Sequence, residues 1–324
     1  MARQILLTFI LGFVSYSYST AQDAHFSQFY ANPTYLNPSL VGMAGNIRTT
    51  VAHREQGTDT YKYSTSMFSF DASLGGRSGW GIQIINDSQM NGVLKSVSYA
   101  ATLGHRIDIN RDSKLAFGIQ VGAYQKKLDW SSLTFEDQLH QRNGVVVNTQ
   151  ERFGNENVTQ ADVHVGLSYS SETIYGGLKL SHLNKPKENF SLDSETTIPI
   201  KTTVHLGAML PISGLRNDGQ YVSPNVIYEK QAEFDYLHLG LYYGNGIWTA
   251  GMWYRLNDAI ITSLGVNISK FKIGYSYDFA ISGYKTTNDN AHEISIGYQF
   301  DVVKKFKVKN KYKGKCPSFQ KYLF

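Results

Sequence analysis

After Asn46 apolar and polar residues alternate one by one in a succession of short runs. That is the period of a half-buried β-strand, not of a helix. In the run Phe271 to Phe279, Phe271, Ile273, Tyr275, Tyr277 and Phe279 share one face, and Lys272, Gly274, Ser276 and Asp278 the other. Leu115, Phe117, Ile119 and Val121 repeat the pattern, as do Val163, Val165, Leu167 and Tyr169, and finally Ile294, Ile296, Tyr298 and Phe300. No stretch has the spacing of a long amphipathic helix. Strands are expected at 47–55, 62–72, 79–86, 94–107, 114–128, 162–170, 174–181, 201–210, 221–229, 234–243, 247–256, 259–269, 271–279 and 292–301. That makes about fourteen, an even number, as in bacterial outer-membrane barrels.

The connections sort into two kinds. Tight turns rich in Gly, Asn, Asp or Ser are expected at Gly75–Ser78, Ile109–Ser113, Ser171–Thr173, Gly244–Gly246 and Lys270, with a somewhat longer one at 211–220. The longest loops, 129–161, 182–200 and 280–291, alternate with them, although 230–233 and 257–258 are short. Short turns on one side and long loops on the other are the habit of an outer-membrane barrel, whose closed ladder satisfies every backbone polar group in lipid. Trp80 and Trp248 fall at turn-side strand ends and Trp130 just beyond a loop-side end, where aromatic girdles belong. Ser295 to Val302, SIGYQFDV, fits the polar–x–Gly–x–x–aromatic–x–apolar signal of a final barrel strand. The fold expected is all-β, a transmembrane outer-membrane β-barrel of about 14 antiparallel strands spanning 46–302. A soluble sandwich or propeller has the same periodicity and remains the alternative.

Two flanking segments do not alternate. Residues 1–21 combine Arg3, an apolar run from Ile5 to Val14 and Ser19-Thr20-Ala21, which reads as a signal peptide too short to span a bilayer. Residues 22–45 hold two prolines, in the pairs Asn32-Pro33 and Asn37-Pro38, among Phe26, Phe29, Tyr30 and Tyr35. Fourteen strands enclose more space than their own side chains fill. Irregular backbone at membrane depth must be buried in protein or line water. This segment is therefore expected at the periplasmic mouth or inside the lumen, the alternative being a disordered leader. Phe26, Phe29, Tyr30, Asn37 and Pro38 are its candidate contact residues.

Composition alters the picture at one place. The formal net charge is +5, but Lys304, Lys305, Lys307, Lys309, Lys311, Lys313, Lys315 and Lys321 all lie in the terminal segment 303–324. The body is slightly acidic, so a nucleic-acid-binding role for the whole chain is not supported. The tail, expected in the periplasm, suits an acidic partner or anionic outer-membrane lipid; a merely solvated extension is the alternative. One cysteine, Cys316, excludes an internal disulfide framework. His53, His105, His164, His205, His238 and His292 lie on or beside strands, yet no nucleophile elbow, HExxH or P-loop accompanies them. Neither a catalytic set nor a cofactor or metal site is assigned, and Glu136-Asp137 alone is too few ligands for Ca²⁺.

The flanks also carry a resemblance. Phe26-Ser27-Gln28-Phe29-Tyr30 and Leu36-Asn37-Pro38-Ser39-Leu40-Val41-Gly42 resemble the opening of the PorP/SprF proteins of type IX secretion. The likeness continues through His53-Arg54-Glu55-Gln56, Gly79-Trp80-Gly81 with Asn86-Asp87, Leu115-Ala116-Phe117-Gly118, and Gly176-Gly177-Leu178 through Ser181-His182-Leu183. Trp253-Tyr254-Arg255, Gly274 to Asp278, His292-Glu293-Ile294 and Lys315-Cys316-Pro317-Ser318-Phe319 complete it. Gly57 and Ser39-Leu40-Val41 depart from the usual pattern. The resemblance implies a non-enzymatic component of the secretion and gliding machinery. Such a protein helps secrete or anchor a large adhesin-like surface protein, through that cargo's C-terminal domain, and touches a periplasmic or peptidoglycan-associated lipoprotein. By the same resemblance Cys316, Pro317 and Phe319 join Lys304, Lys305, Lys307 and Lys309 as candidate partner contacts. A passive pore or solute channel is the other reading of the same barrel.

Overall fold

The computed structural model describes residues 23–300, apart from 59–60, 76, 141–143, 146–148, 150–153, 191–195, 213–218 and 282–289. The expected signal peptide and basic tail lie outside the described residues. Fourteen strands form the wall: β1 (Ile47–Gly57), β2 (Lys62–Ser73), β3 (Ser78–Gln89), β4 (Leu94–Asp108), β5 (Lys114–Leu128), β6 (Asn157–Ser170) and β7 (Ile174–Ser181) make the first half. The second half is β8 (Lys201–Ala208), β9 (Tyr221–Gln231), β10 (Phe234–Gly244), β11 (Trp248–Arg255), β12 (Ala259–Ile268), β13 (Phe271–Ala280) and β14 (Ala291–Phe300). Each pairs antiparallel with the next, and Leu210–Pro211 prolongs the pairing of β8 onto β9. β14 returns to β1, with Ile47 opposite Phe300, Arg54 opposite Glu293 and Gln56 opposite Ala291. The ring has no free edge, which is what a lipid environment demands of a sheet.

The alternation read from the sequence is resolved here into outside and inside. Val51, Phe68, Ile82, Ile84, Leu103, Phe117, Ile119, Leu241, Leu264, Ile273 and Ile296 are exposed on the outer surface. Thr50, Ser69, Gln83, Thr102, Gln120, Ser168, Asn225, Ser276 and Ser295 are buried on the inner one. A soluble β protein has the reverse arrangement, so the apolar belt marks the face that meets hydrocarbon.

Differences from the expected strand limits have a common cause. β6 begins at Asn157 rather than 162, and β3 runs on to Gln89. Asn157 pairs with Lys127 and Thr159 with Gln125, so the ladder continues where the side chains no longer alternate. Beyond the apolar belt, backbone pairing still stabilises the strand, but nothing requires a greasy outward face. At the other end Met209 interrupts the expected strand 201–210, its N–H donating to Thr173 O at 2.7 Å.

Mid-strand Leu264 is 63% exposed on β12. Leu264→Arg is expected to destabilise the barrel in lipid vesicles by about 2–4 kcal/mol, measured by denaturant unfolding. An unchanged midpoint would place that face away from hydrocarbon.

Candidate functional site in the barrel lumen

The N-terminal segment is not a leader trailing from the wall. It is folded inside the ring. Phe29–Ala31 makes a 3-10 turn, Pro33–Leu36 a single α-helical turn and Pro38–Leu40 a second 3-10 turn. Each proline begins a turn, where its fixed φ is favourable and its missing N–H costs nothing. Asn37 caps the last turn: its Oδ1 accepts from Ser39 N at 3.0 Å and from Ser39 Oγ at 2.7 Å. Its amide then donates to two wall carbonyls, Leu167 O at 3.1 Å and Leu178 O at 3.2 Å. Phe26, Ser27, Asn37 and Ser39 are all buried to 1% exposure or less.

Aromatic packing fills the middle. Phe29 lies 5.3 Å from the ring of Trp253, and Tyr30 lies 6.0 Å from both Tyr175 and Tyr242. Tyr30 and Tyr175 donate to the same Asn225 Oδ1, at 2.8 and 2.6 Å. Burial among these rings pushes the Tyr30 phenol well above its usual range. Phe26 packs in a second cluster with Ala52 and Met67, and Tyr35 stands edge-on to it at 5.1 Å. Where the segment's backbone comes closest, the wall has glycine. A Cβ on Gly118 would overlap the Pro38 carbonyl, and one on Gly79 the Val41 carbonyl.

Charged groups hold the segment at both ends. Towards the long loops, Ser27 N donates to Glu293 Oε2 at 2.6 Å and Gln28 N to Oε1 at 3.2 Å. Ser27 Oγ donates to Asp278 Oδ2 at 2.7 Å and accepts from Arg54 Nη1 at 2.8 Å. Arg54 and Arg255 both reach Asp278 Oδ2, at 3.0 and 3.2 Å. Gln28 closes the set, donating to Glu293 O at 2.9 Å and accepting from Ser295 Oγ at 2.6 Å. Two guanidinium and two carboxylate groups, all nearly dry, therefore gather around Ser27, with Asp278 Oδ1 and Arg255 Nε left unbonded. Towards the tight turns, Asp71 accepts a fork from Arg48 at 2.8 and 3.1 Å and the Gly42 N–H at 2.8 Å.

The segment runs nearly the length of the lumen. Gly42 lies at the turn end, whereas Asp23 lies at the loop end, its Oδ2 2.9 Å from His182 Nε2 and its N–H 3.5 Å from Gln231 Oε1. Burial opposes charge on Asp23, but His182 and then Lys201 hold its carboxyl well below the usual carboxylate range. Burial likewise works against a charged His182, yet Asp23 and Asp162 push it up to about 10. His25 stacks on His238 at 5.4 Å, and burial followed by the Arg255 charge holds its imidazole well below the ordinary value. A charged vestibule of about 420 Å³ opens at this end, lined by Asp23, Arg54, Lys201, Glu229, Arg255 and Asp258 among others.

Of the candidate contact residues, Phe26, Phe29, Tyr30, Asn37 and Pro38 are brought together in the lumen against the barrel's own wall. Lys304, Lys305, Lys307, Lys309, Cys316, Pro317 and Phe319 lie outside the described residues. Sequence reasoning did not single out Arg48, Arg54, Asp71, Arg255, Asp278 or Glu293 as site residues, nor Trp253 as lumenal. A signal was present for Arg54, Arg255, Asp278 and Glu293, which each belong to a different one of the scattered short motifs, as does Ser27, which they meet. Their meeting in one constellation is a fact of three dimensions.

These features define an outer-membrane β-barrel with an occupied lumen. The chain belongs to the family of type IX secretion system membrane proteins PorP/SprF, whose family model matches residues 18–298. Among solved structures it is similar to a FadL homologue of Pseudomonas aeruginosa, with a TM-score of 0.44, 9% identity, and 82% of this chain and 93% of that one covered. It is also similar to the P. putida toluene transporter TodX, with a TM-score of 0.45, 9% identity, and coverage of 84% and 94%. KdgM porin aligns with a TM-score of 0.37, 6% identity, and coverage of 78% and 99%. No protein of curated function matches the chain in sequence.

Glu293→Ala leaves two segment N–H groups and Arg54 without their dry acceptor. Breaking such a buried set is expected to cost about 3–5 kcal/mol. Unfolding in detergent, together with new protease cuts between residues 23 and 45, is the measurement; native resistance at both would contradict the assigned clamp.

Proposed function

We propose that this barrel is a closed anchor in the type IX secretion and gliding machinery, not a solute channel. It would help secrete or hold a large adhesin-like surface protein, engaging that cargo's C-terminal domain, and would contact a periplasmic or peptidoglycan-associated lipoprotein. The observation that supports this reading is the segment 23–45, clamped in the lumen at Glu293 and at Asp71. A pore gains nothing from a constriction that buries ion-paired side chains and a cluster of aromatic rings along its path, whereas a rigid anchor does. Family membership supplies the system, and the cargo and lipoprotein are our assignment within it.

In the proposed orientation the long loops and the charged vestibule face outward, so Asp23 stands near the outer mouth. The tail beginning at residue 303 enters the periplasm, where Lys304, Lys305, Lys307 and Lys309 would meet an acidic partner and Cys316, Pro317 and Phe319 would seat against it. The segment residues Phe26, Phe29, Tyr30, Asn37 and Pro38 would serve such partners by fixing the barrel's shape.

Two measurements test this. In planar bilayers the intact protein is expected to be silent, while Glu293→Ala combined with Asp71→Ala conducts; a large steady current through the intact protein supports the channel reading instead. Pull-down from detergent-solubilised outer membranes is expected to recover a surface cargo and a periplasmic lipoprotein. Truncation after residue 302 should lower lipoprotein recovery at low salt and matter little at high salt, because screening already weakens exposed charge contacts there. Unchanged recovery at low salt would remove the docking role of the tail.

A further inference from the structure

At the loop end of the lumen three side chains converge that neither the clamp nor the secretion role uses. Asp162 and His164 project inward from β6, and His182 follows β7 directly. His164 Nε2 lies 3.2 Å from Asp162 Oδ2, and His182 Nδ1 lies 2.9 Å from the same oxygen. One donor atom from each of the three falls within 4.8 Å of the others. The backbone is bent to achieve this, since His182 has φ +58°, a left-handed conformation that few non-glycine residues adopt.

Hydrogen bonding leaves this cluster incomplete. Asp162 is 5% exposed and His182 6%. Nevertheless Asp162 Oδ1, His164 Nδ1 and His182 Nδ1 have no hydrogen-bond partner. Buried polar atoms are nearly always paired, so His182 Nδ1, the orphan among the three converging atoms, asks for another occupant. The 2.9 Å approach of His182 Nδ1 to the carboxylate is close enough for a hydrogen bond but not aligned as one. Donors about 2.0–2.2 Å from a tetrahedral ion lie roughly 3.3–3.5 Å apart, so the 3.2 Å pair of His164 and Asp162 is close to that spacing and the His182 contact would open by about half an ångström to join it.

Asp23 supplies the outer support. Its Oδ2 takes the Nε2 side of His182 at 2.9 Å, leaving Nδ1 to face Asp162 and His164. A carboxylate on the far nitrogen of a ligating imidazole fixes the ring and its tautomer. Asp162 and Asp23 provide two negative charges, and each lysine lining the same cavity has another partner: Lys179 donates to Tyr35 O at 2.8 Å, Lys126 pairs with Glu188 at 2.8 Å and Lys201 with Glu229 at 3.1 Å. The other histidine cluster, His25 with Glu229 and His238, is less suited, because Lys201 Nζ already occupies Glu229 at 3.1 Å.

We propose that Asp162, His164 and His182 form a binding site for one divalent transition-metal ion, Zn²⁺ by its donor set, with Asp23 as the positioning residue. Two imidazole nitrogens and one carboxylate leave a fourth position open to the cavity for water, as in three-ligand zinc sites. The ion would join β6 and β7 to Asp23 of the lumenal segment.

The test uses the full chain in detergent, stripped with chelator and titrated with Zn²⁺, with bound metal counted by elemental analysis and Co²⁺ read by its ligand-field absorption. One ion per chain and a tetrahedral Co²⁺ spectrum are expected. The pair Asp162→Asn with His164→Gln should abolish both, with the folded barrel confirmed by its unshifted gel migration before heating. Asp23→Asn, outside the wall, should weaken affinity about 10–100-fold while keeping the stoichiometry. His238→Gln should change neither. Absence of stoichiometric binding to the intact chain would overturn the proposal, and so would binding lost in His238→Gln but kept in the paired variant.

Discussion

A sheet that closes on itself in hydrocarbon must put its polar side chains inside, and the inside must then be filled or flooded. That constraint organises this molecule. Fourteen strands give an interior too wide for opposing side chains to meet, so the wall's serines, threonines, asparagines and charges need partners from elsewhere. Residues 23–45 supply them, with backbone N–H groups for Glu293 and Asp71, a hydroxyl for Asp278 and rings for Trp253 and Tyr242. The irregular backbone of the segment follows from the same need. A regular helix would consume the N–H groups that the carboxylates require, whereas short turns separated by extended residues leave several free to point at the wall.

The barrel itself was legible in the sequence because its signal is local. Each strand repeats a two-residue period, and lipid on one face with polar protein on the other enforces it. Strand ends beyond the apolar belt, such as Asn157 to Ala161, were not legible, since pairing with Ala123 to Lys127 holds them without any hydrophobic requirement. The place of the opening segment in the lumen could be reasoned from volume and composition. Its direction could not: that Asp23 reaches the loop end depends on contacts with His182 and Gln231, which alternation does not encode.

The clamp was visible only as fragments. Arg54 in His-Arg-Glu-Gln, Arg255 in Trp-Tyr-Arg, Asp278 at the end of Gly-Tyr-Ser-Tyr-Asp and Glu293 in His-Glu-Ile lie in ordinary runs of three to five residues when read singly. What gives them meaning is that β1, β11, β13 and β14 bring them round the lumen to one serine of the segment. The glycines near Pro38 and Val41 are the apolar counterpart, marking where the wall yields to an incoming backbone. Side-chain charge and missing side chains thus describe one contact from its two sides.

The register of the first and last strands adds a consequence for closure. Arg54 on β1 sits directly across from Glu293 on β14, and the Ser27 and Gln28 amides are seated on that same carboxylate. Without the segment the interior would be flooded, and water in place of the two amides would face Arg54 and Glu293. The seam that closes the cylinder is therefore also where its lumenal peptide is fastened, and one carboxylate ties the two together.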